Sequence, residues 1–152
     1  MKLAFREVTE QTLPDFISLF ESPGAPKNCW CRVWRRARAT DRSAKKAAMI
    51  AEIRQGVPVG ILGYSDETPV AWCSIAPRDT YRDLGGADYG PEERVCPSVR
   101  RYVRRSHRGQ GVFGQLLRAA IAHAQTRGAT LLEAYPVDPG SPSYRFMGFV
   151  PA

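Results

Sequence analysis

A chain of 152 residues holds one domain around one core and is too short for two ordinary ones. Its 43% hydrophobic and 24% charged residues give the profile of a soluble globular protein. The net charge of +7 asks for an anionic counterpart (nucleic acid, an acidic surface or an anionic ligand) without choosing among them.

No run approaches the ~20 apolar residues of a membrane span, so no membrane partner is expected. The N-terminus, MKLAFREVTEQ, places Arg6 and Glu7 too early for a signal peptide, which points to the cytoplasm. Cys29 and Cys31 form a C-x-C pair, followed by isolated Cys73 and Cys96. That spacing lacks the paired C-x₂₋₄-C of zinc modules, so the four are expected to be mostly buried small apolar residues, with no metal site.

Along the chain, residues 2–8 alternate loosely at Leu3, Phe5, Arg6 and Val8 and read as a first strand. Thr12 is placed as an N-cap with Pro14 in the first turn, and Leu13, Phe16, Ile17 and Phe20 keep helical spacing to Glu21. Residues 22–28, rich in Pro and Gly, form a loop. The run CWCRVW at residues 29–34 admits two readings: a stacking platform for bases, or an aromatic core plug with a basic rim. The second is preferred. Residues 35–46 are strongly basic and read as a solvated face, leading into a helix from about Ser43 to Gln55 that Gly56 ends.

Residues 59–64 and 70–76 are β-prone and flank Ser-Asp-Glu-Thr-Pro, a hairpin signal. The loop at residues 79–93 is either disordered or a lid over an acceptor. Residues 95–103 read as one strand. Alternation puts Val95, Val99, Arg101 and Val103 on one face and Cys96, Ser98, Arg100 and Tyr102 on the other. Arg101 on an apolar face needs a partner. A basic, glycine-punctuated turn (residues 104–111) then opens a helix whose apolar stripe is Leu116, Leu117, Ala120, Ile121 and Ala124, capped by Gly128. Such a turn presents unpaired amides and the positive end of a helix dipole, which suits a phosphate. Residues 130–137 form a further strand.

Arg108-Gly109-Gln110-Gly111-Val112-Phe113 resembles the acetyl-CoA signature of the GCN5-related N-acetyltransferases (GNAT), Arg/Gln-x-x-Gly-x-Gly/Ala. A subgroup of that family has similar Cys-Trp-Cys, Trp-Cys-Ser…Pro-Arg and Glu-Ala-Tyr-Pro-Val-Asp-Pro runs, matched here at Cys29–Cys31, at Trp72, Cys73, Ser74, Pro77 and Arg78, and at residues 133–139. The resemblance implies a single mixed, mostly antiparallel sheet with helices on both faces, an α/β (α+β) fold, with the C-terminal hairpin missing. It implies one N-acetyltransferase-like domain over residues 1–152, incomplete at its C-terminus. Acetyl-CoA would be the co-substrate. Its diphosphate would lie on Arg108, Gly109, Gln110, Gly111, Val112, Phe113 and Gly114, and its pantetheine arm along Tyr102, Val103 and Arg104. Phe113 departs from the small residue usual at that position, so its side chain must point away, or Gly114 must take over with the register moved by one. Trp30 and Trp34 would help line the acceptor side. The thioester would lie in a gap between the strand before the signature and the strand after the helix.

The tail SPSYRFMGFVPA admits two readings. Either Tyr144 starts the family's Tyr-x-x-x-Gly-Phe element and is the general acid for the departing thiolate, or these residues are only the linker before that element. The second is preferred, and Tyr144 stands as the single catalytic candidate. An open sheet edge left behind calls for a cover, a homodimer among the options.

Acetyl transfer needs a neutral amine, a polarised carbonyl and a stabilised thiolate. The amide of Val103 or its neighbour suits the carbonyl. Glu133 is placed either as a base acting through water or in a salt bridge on an exposed face. His107 and His123 read as turn and surface residues. The function expected is acetyl transfer from acetyl-CoA to a primary amine of a small molecule. The alternatives are a protein or tRNA-linked acceptor, with residues 35–46 as the docking arm, and a catalytically inactive CoA- or nucleic-acid-binding module.

Overall fold

In the computed structural model, which describes residues 1–36, 39–136, 138 and 140, the hairpin signal folds as a two-residue turn. Asp66 takes the left-handed conformation at φ 52°. β2 (Ile61–Ser65) and β3 (Thr68–Cys73) extend to either side. Pro69 is tolerated in β3 because the register shifts between Gly63 and Tyr64, a bulge that absorbs the missing donor. β1 (Ala4–Glu7) pairs antiparallel with β2, and β5 (Arg101–Val103) pairs antiparallel with β3, giving the order β1-β2-β3-β5.

Helices cover both faces, as expected. α1 (Leu13–Phe20) and α2 (Arg42–Arg54) share a core with Leu62, Trp72 and Tyr102. α3 (Val112–Thr126) packs Leu116, Ala120 and Ala124 on the other face, against Ile61, Val70, Ala71 and Cys73. The first core centres on Phe16, Phe20, Trp30 and Trp72, whose rings meet at centroid distances from 4.2 to 6.3 Å. Deleting such a ring costs about 3–5 kcal/mol.

Thr12 sits at the start of α1, but its hydroxyl does not cap the helix. It accepts from the Thr9 amide at 2.9 Å and donates to the Glu7 carbonyl at 2.8 Å, tying the helix to β1. α2 begins before the expected Ser43: Asp41 caps it, accepting from the Ala44 amide at 2.8 Å. Among the described residues no helix is long and apolar enough to cross a membrane.

The predicted strand 95–103 is two strands. β4 (Val95–Ser98) pairs parallel with β6 (Leu131–Ala134), while β5 pairs with β3, so the hydrogen-bonded ladders divide into four strands and two rather than one sheet. Pro97 has no amide hydrogen, and its carbonyl accepts from Tyr81 Oη at 3.4 Å instead of from a strand. Alternation therefore does not run through. Cys96 packs under α3, Tyr102 joins the α1 core on the opposite face, and Val99 belongs to a third cluster with Trp34, Ala76 and Tyr81.

Candidate functional site

The division of that strand opens the site. β4 is held by β6 as far as Ser98 opposite Ala134; β5 turns to β3 from Arg101 onward. The Ser74 amide donates to the Arg100 carbonyl and the Arg104 amide to the Val70 carbonyl, both at 2.8 Å. Backbone groups alternate sides along a strand, so Arg101 and Val103 turn theirs away from β3, toward the opening. Of the predicted edge Tyr102–Val103–Arg104, only Val103 presents its backbone there. Its carbonyl accepts from Arg108 Nε at 2.8 Å, which leaves its amide as the outward donor. Tyr102 is buried, with the Arg108 guanidinium 6.0 Å from its ring centre.

Downstream, a 3-10 turn (Arg105–His107) leads to Gly109 and Gly111, both left-handed at φ 72° and 76°. Gly111 occupies the N-cap position of α3, and no side chain caps the helix. Among the described residues, no acceptor meets the amides of Gly109, Gln110, Gly111, Val112, Phe113 or Gly114. A Cβ built on Gly109 or Gly111 would find nothing within 4 Å, so the outer side of the turn is open space. Unpaired amides on the positive end of a 15-residue helix can hold an anionic group.

Phe113 is 50% exposed, and its ring lies beside the Arg101 guanidinium at 5.4 Å. Arg101 also donates to Ser98 Oγ at 3.2 Å. The charge that sequence patterning left on an apolar face is thus partnered. His107 Nδ1 lies 2.8 Å from Ser106 Oγ in the exposed turn. His123 is half-buried, and burial lowers its pKa.

Glu133 lies in a salt bridge, but on a buried rather than an exposed face. It is 8% exposed and accepts from Arg78 Nη2 at 3.1 Å, from Tyr135 Oη and from Tyr89. Burial pushes its pKa up, but the tyrosine hydrogen bonds and the Arg78 charge outweigh it and hold the carboxyl below the usual range. A carboxylate committed to three donors is a poor proton acceptor. Gly86 packs directly on this pair, where any Cβ would collide with Glu133 and Arg78, so the 79–93 loop is fastened onto β6.

At residues 29–36 the preferred core-plug reading holds, while the acceptor-lining tryptophans implied by the resemblance and the solvated Arg35 are corrected. Trp30 and Trp34 are 1% and 8% exposed, core plugs rather than substrate-facing surfaces. Arg35, read as part of a solvated face, is 1% exposed. Its guanidinium lies 4.4 Å from the Tyr81 ring centre and donates to the Pro58 carbonyl and Thr80 Oγ1. Trp30 and Cys31 both adopt left-handed backbone, at φ 47° and 56°. That double turn leaves Cys29 half-exposed while Cys31, Cys73 and Cys96 are buried. The hydrogen bond from Cys31 and, against the opposing effect of burial, the Arg100 charge lower the Cys29 pKa to about 5. Arg100 Nη1 reaches Cys29 Sγ at 3.6 Å. Cys29 also lines a cavity of about 270 Å³, together with Arg32, Val33, Ala39, Lys45 and Arg82. Only the basic run hinted at this cavity from sequence. Tyr144 lies outside the described residues.

A model of the acetyltransferase (GNAT) family matches residues 13–149. The chain belongs to that family. No curated protein sequence matches it. Among solved structures, the aminoglycoside acetyltransferase AAC(6')-Iy, in complex with a bisubstrate analogue of CoA and acetylneamine, superposes with a TM-score of 0.62 at 18% identity, covering 99% of this chain and 92% of that one. AAC(6')-IG from Acinetobacter haemolyticus gives 0.57 at 19% identity, over 90% of this chain and 81% of that one. A ribosomal-protein-alanine N-acetyltransferase from Brucella melitensis biovar Abortus 2308 gives 0.57 at 12%, over 86% and 77%. At such identities the likeness is one of fold. This GNAT chain is accordingly an acyltransferase of mixed α/β architecture.

Proposed function

We propose that this GNAT enzyme moves the acetyl group of acetyl-CoA to a primary amine of a small molecule, working as one domain in the cytoplasm, where its four thiols stay reduced. The observation that carries the reading is the set of unpaired amides from Gly109 to Gly114, open to solvent beside the gap between β5 and β6. CoA-bound members of the fold, AAC(6')-Iy among them, support the choice of ligand. In this reading the turn from Arg108 to Gly114 grips the diphosphate, and Arg104 and Arg105 add charge beside it. Acetyl-CoA supplies the activated acyl group. The Val103 amide faces the opening and donates to the thioester carbonyl, stabilising the oxyanion as the amine attacks. Tyr144 remains the candidate for protonating the thiolate.

A thermal-shift titration tests this. A ligand that binds only the folded state raises the melting temperature with concentration, by about 2.7 kcal/mol of added stability at a hundredfold excess over Kd. Gly111→Glu, which puts a carboxylate where the diphosphate should lie, is expected to abolish the acetyl-CoA shift. A shift of wild-type size in that variant would remove the diphosphate from this turn.

A further inference from the structure

The double left-handed turn at Trp30 and Cys31 brings two sulfur atoms together. Trp30 is anchored in the first core, its ring centre 5.2 Å from that of Phe20, and its amide donates to the Pro26 carbonyl at 2.8 Å. With the residue between them fixed in this way, Cys29 and Cys31 fold toward each other, and their sulfurs share a hydrogen bond.

The two thiols sit in different surroundings. Cys29 is half-exposed and lines the cavity of about 270 Å³, which has room for a small polar molecule such as hydrogen peroxide. Arg100 Nη1 lies 3.6 Å from its sulfur, and the Cys31 thiol and amide both donate to it. In the neutral form its proton goes to the Pro26 carbonyl at 3.7 Å. The cation and the donors hold its pKa at about 5, so at neutrality it is the thiolate, the form that reacts. Cys31 is 3% exposed. Burial pushes its thiol up, and the charge on Cys29 adds to that effect, while Arg100 and Arg35 act in the opposite sense. Cys73 and Cys96 are buried.

We propose that Cys29 and Cys31 form a peroxide-reactive pair, in which Cys29 is oxidised and Cys31 then closes a disulfide onto it. The inference stands apart from the acetyl-transfer reading. In a reducing compartment both rest as thiols, and a disulfide there is a transient product of oxidant. In the first step the Cys29 thiolate attacks a peroxide oxygen. The S–O bond forms, the O–O bond breaks, and hydroxide leaves to take a proton from solvent. Cys29 is then a neutral sulfenic acid. Its charge no longer opposes ionisation of Cys31, while both guanidiniums still favour it. The Cys31 sulfur attacks that of Cys29. The S–S bond forms, the S–O bond breaks, and the departing hydroxide leaves as water with the proton from Cys31. Two electrons pass from the sulfur pair to the peroxide, which ends as water. A dithiol reductant reverses the disulfide by exchange.

The test treats the native protein with hydrogen peroxide, alkylates remaining thiols with iodoacetamide in denaturant, and maps peptides by mass spectrometry. Trypsin cuts after Lys27 and Arg32, so both cysteines leave on one peptide, residues 28–32. The expected result is loss of two hydrogens from that peptide, reversed by dithiothreitol, with Cys73 and Cys96 alkylated. Cys31→Ser should stop the reaction at a sulfenic acid that dimedone traps on Cys29, and Cys29→Ser should leave Cys31 reduced. Arg100→Gln should slow oxidation about tenfold, with Tm recorded to show that the variant folds. The two cysteine variants decide the proposal whether or not it does. An unmodified 28–32 peptide at doses that oxidise free glutathione overturns the inference. So does oxidation spread evenly over the four cysteines, a disulfide to another chain, or a wild-type sulfenic acid that never passes to the disulfide. Oxidation of folded Arg100→Gln at the wild-type rate overturns the part assigned to the guanidinium.

Discussion

Glu133→Gln separates a structural carboxylate from a catalytic one. The substitution keeps shape and removes charge, so Arg78 and both tyrosines face an amide oxygen instead of a carboxylate. Losing one partner of a fully buried ion pair costs about 3–5 kcal/mol, whereas exposed pairs are worth about 0–1 kcal/mol. The Glu133 side chain is 8% exposed and that of Arg78 is 35%, which places this pair between the limits. We expect a loss of about 1–2 kcal/mol, or roughly 2–8 °C in Tm for a domain of this size. The sign of the pH dependence follows from the depressed pKa of Glu133. Its stabilisation is fully present above the unfolded carboxyl value and is lost as pH falls through the lower folded value. The Tm gap between wild type and variant, read by scanning fluorimetry, should be constant from neutrality down and should close below about pH 4. The pH–rate profile should keep its acid limb. An unchanged Tm together with a vanished acid limb would falsify this assignment and make Glu133 the base.

Two further outcomes follow from local geometry. Gly60 has φ 123°, and a Cβ there would run into the Cys73 carbonyl; Gly60→Ala should therefore cost about 2–6 kcal/mol from backbone strain and overpacking together, and an unaltered Tm would refute that account. Iodoacetamide should alkylate Cys29 in the native protein with a midpoint near pH 5 and leave buried Cys31, Cys73 and Cys96 unmodified until denaturant is added. Equal labelling of all four thiols in native buffer would show that the Cys29–Arg100 contact does not persist in solution.

Elements with strong local signals were legible in the sequence. Leu116, Ala120 and Ala124 marked the buried stripe of α3, Gly109 and Gly111 marked the left-handed turn, and Thr-Pro after Asp-Glu marked the central hairpin. What alternation could not reveal is a change of partner. Residues 95–103 carry an unbroken β-prone pattern, yet the choice between β6 and β3 is made by strands remote in sequence and by Tyr81, which reaches Pro97 from a loop with no periodicity. The buried Arg35 escaped notice for a related reason. A charge run reads as solvated unless an aromatic ring elsewhere accepts one member of it, and Tyr81 does. The Asp41 cap was not read, because Ala44 and its neighbours drew the boundary to Ser43.

Those same unforeseen residues brace the opening. Tyr81 Oη lies 2.7 Å from Ser74 Oγ and 3.4 Å from the Pro97 carbonyl, the Ser74 amide donates to the Arg100 carbonyl, and Arg35 covers the Tyr81 ring. One buried side chain thus touches Ser74 just after β3, Pro97 near the end of β4 and, through Ser74, the residue just before β5. A strand that must change partners leaves backbone groups unpaired, and inside a protein each such group costs free energy unless something else bonds it. Tyr81 and Ser74 supply those bonds on the inner side. On the outer side the Val103 amide is turned away from β3, toward the opening. The gap can therefore stay open without collapse because its walls are satisfied from behind.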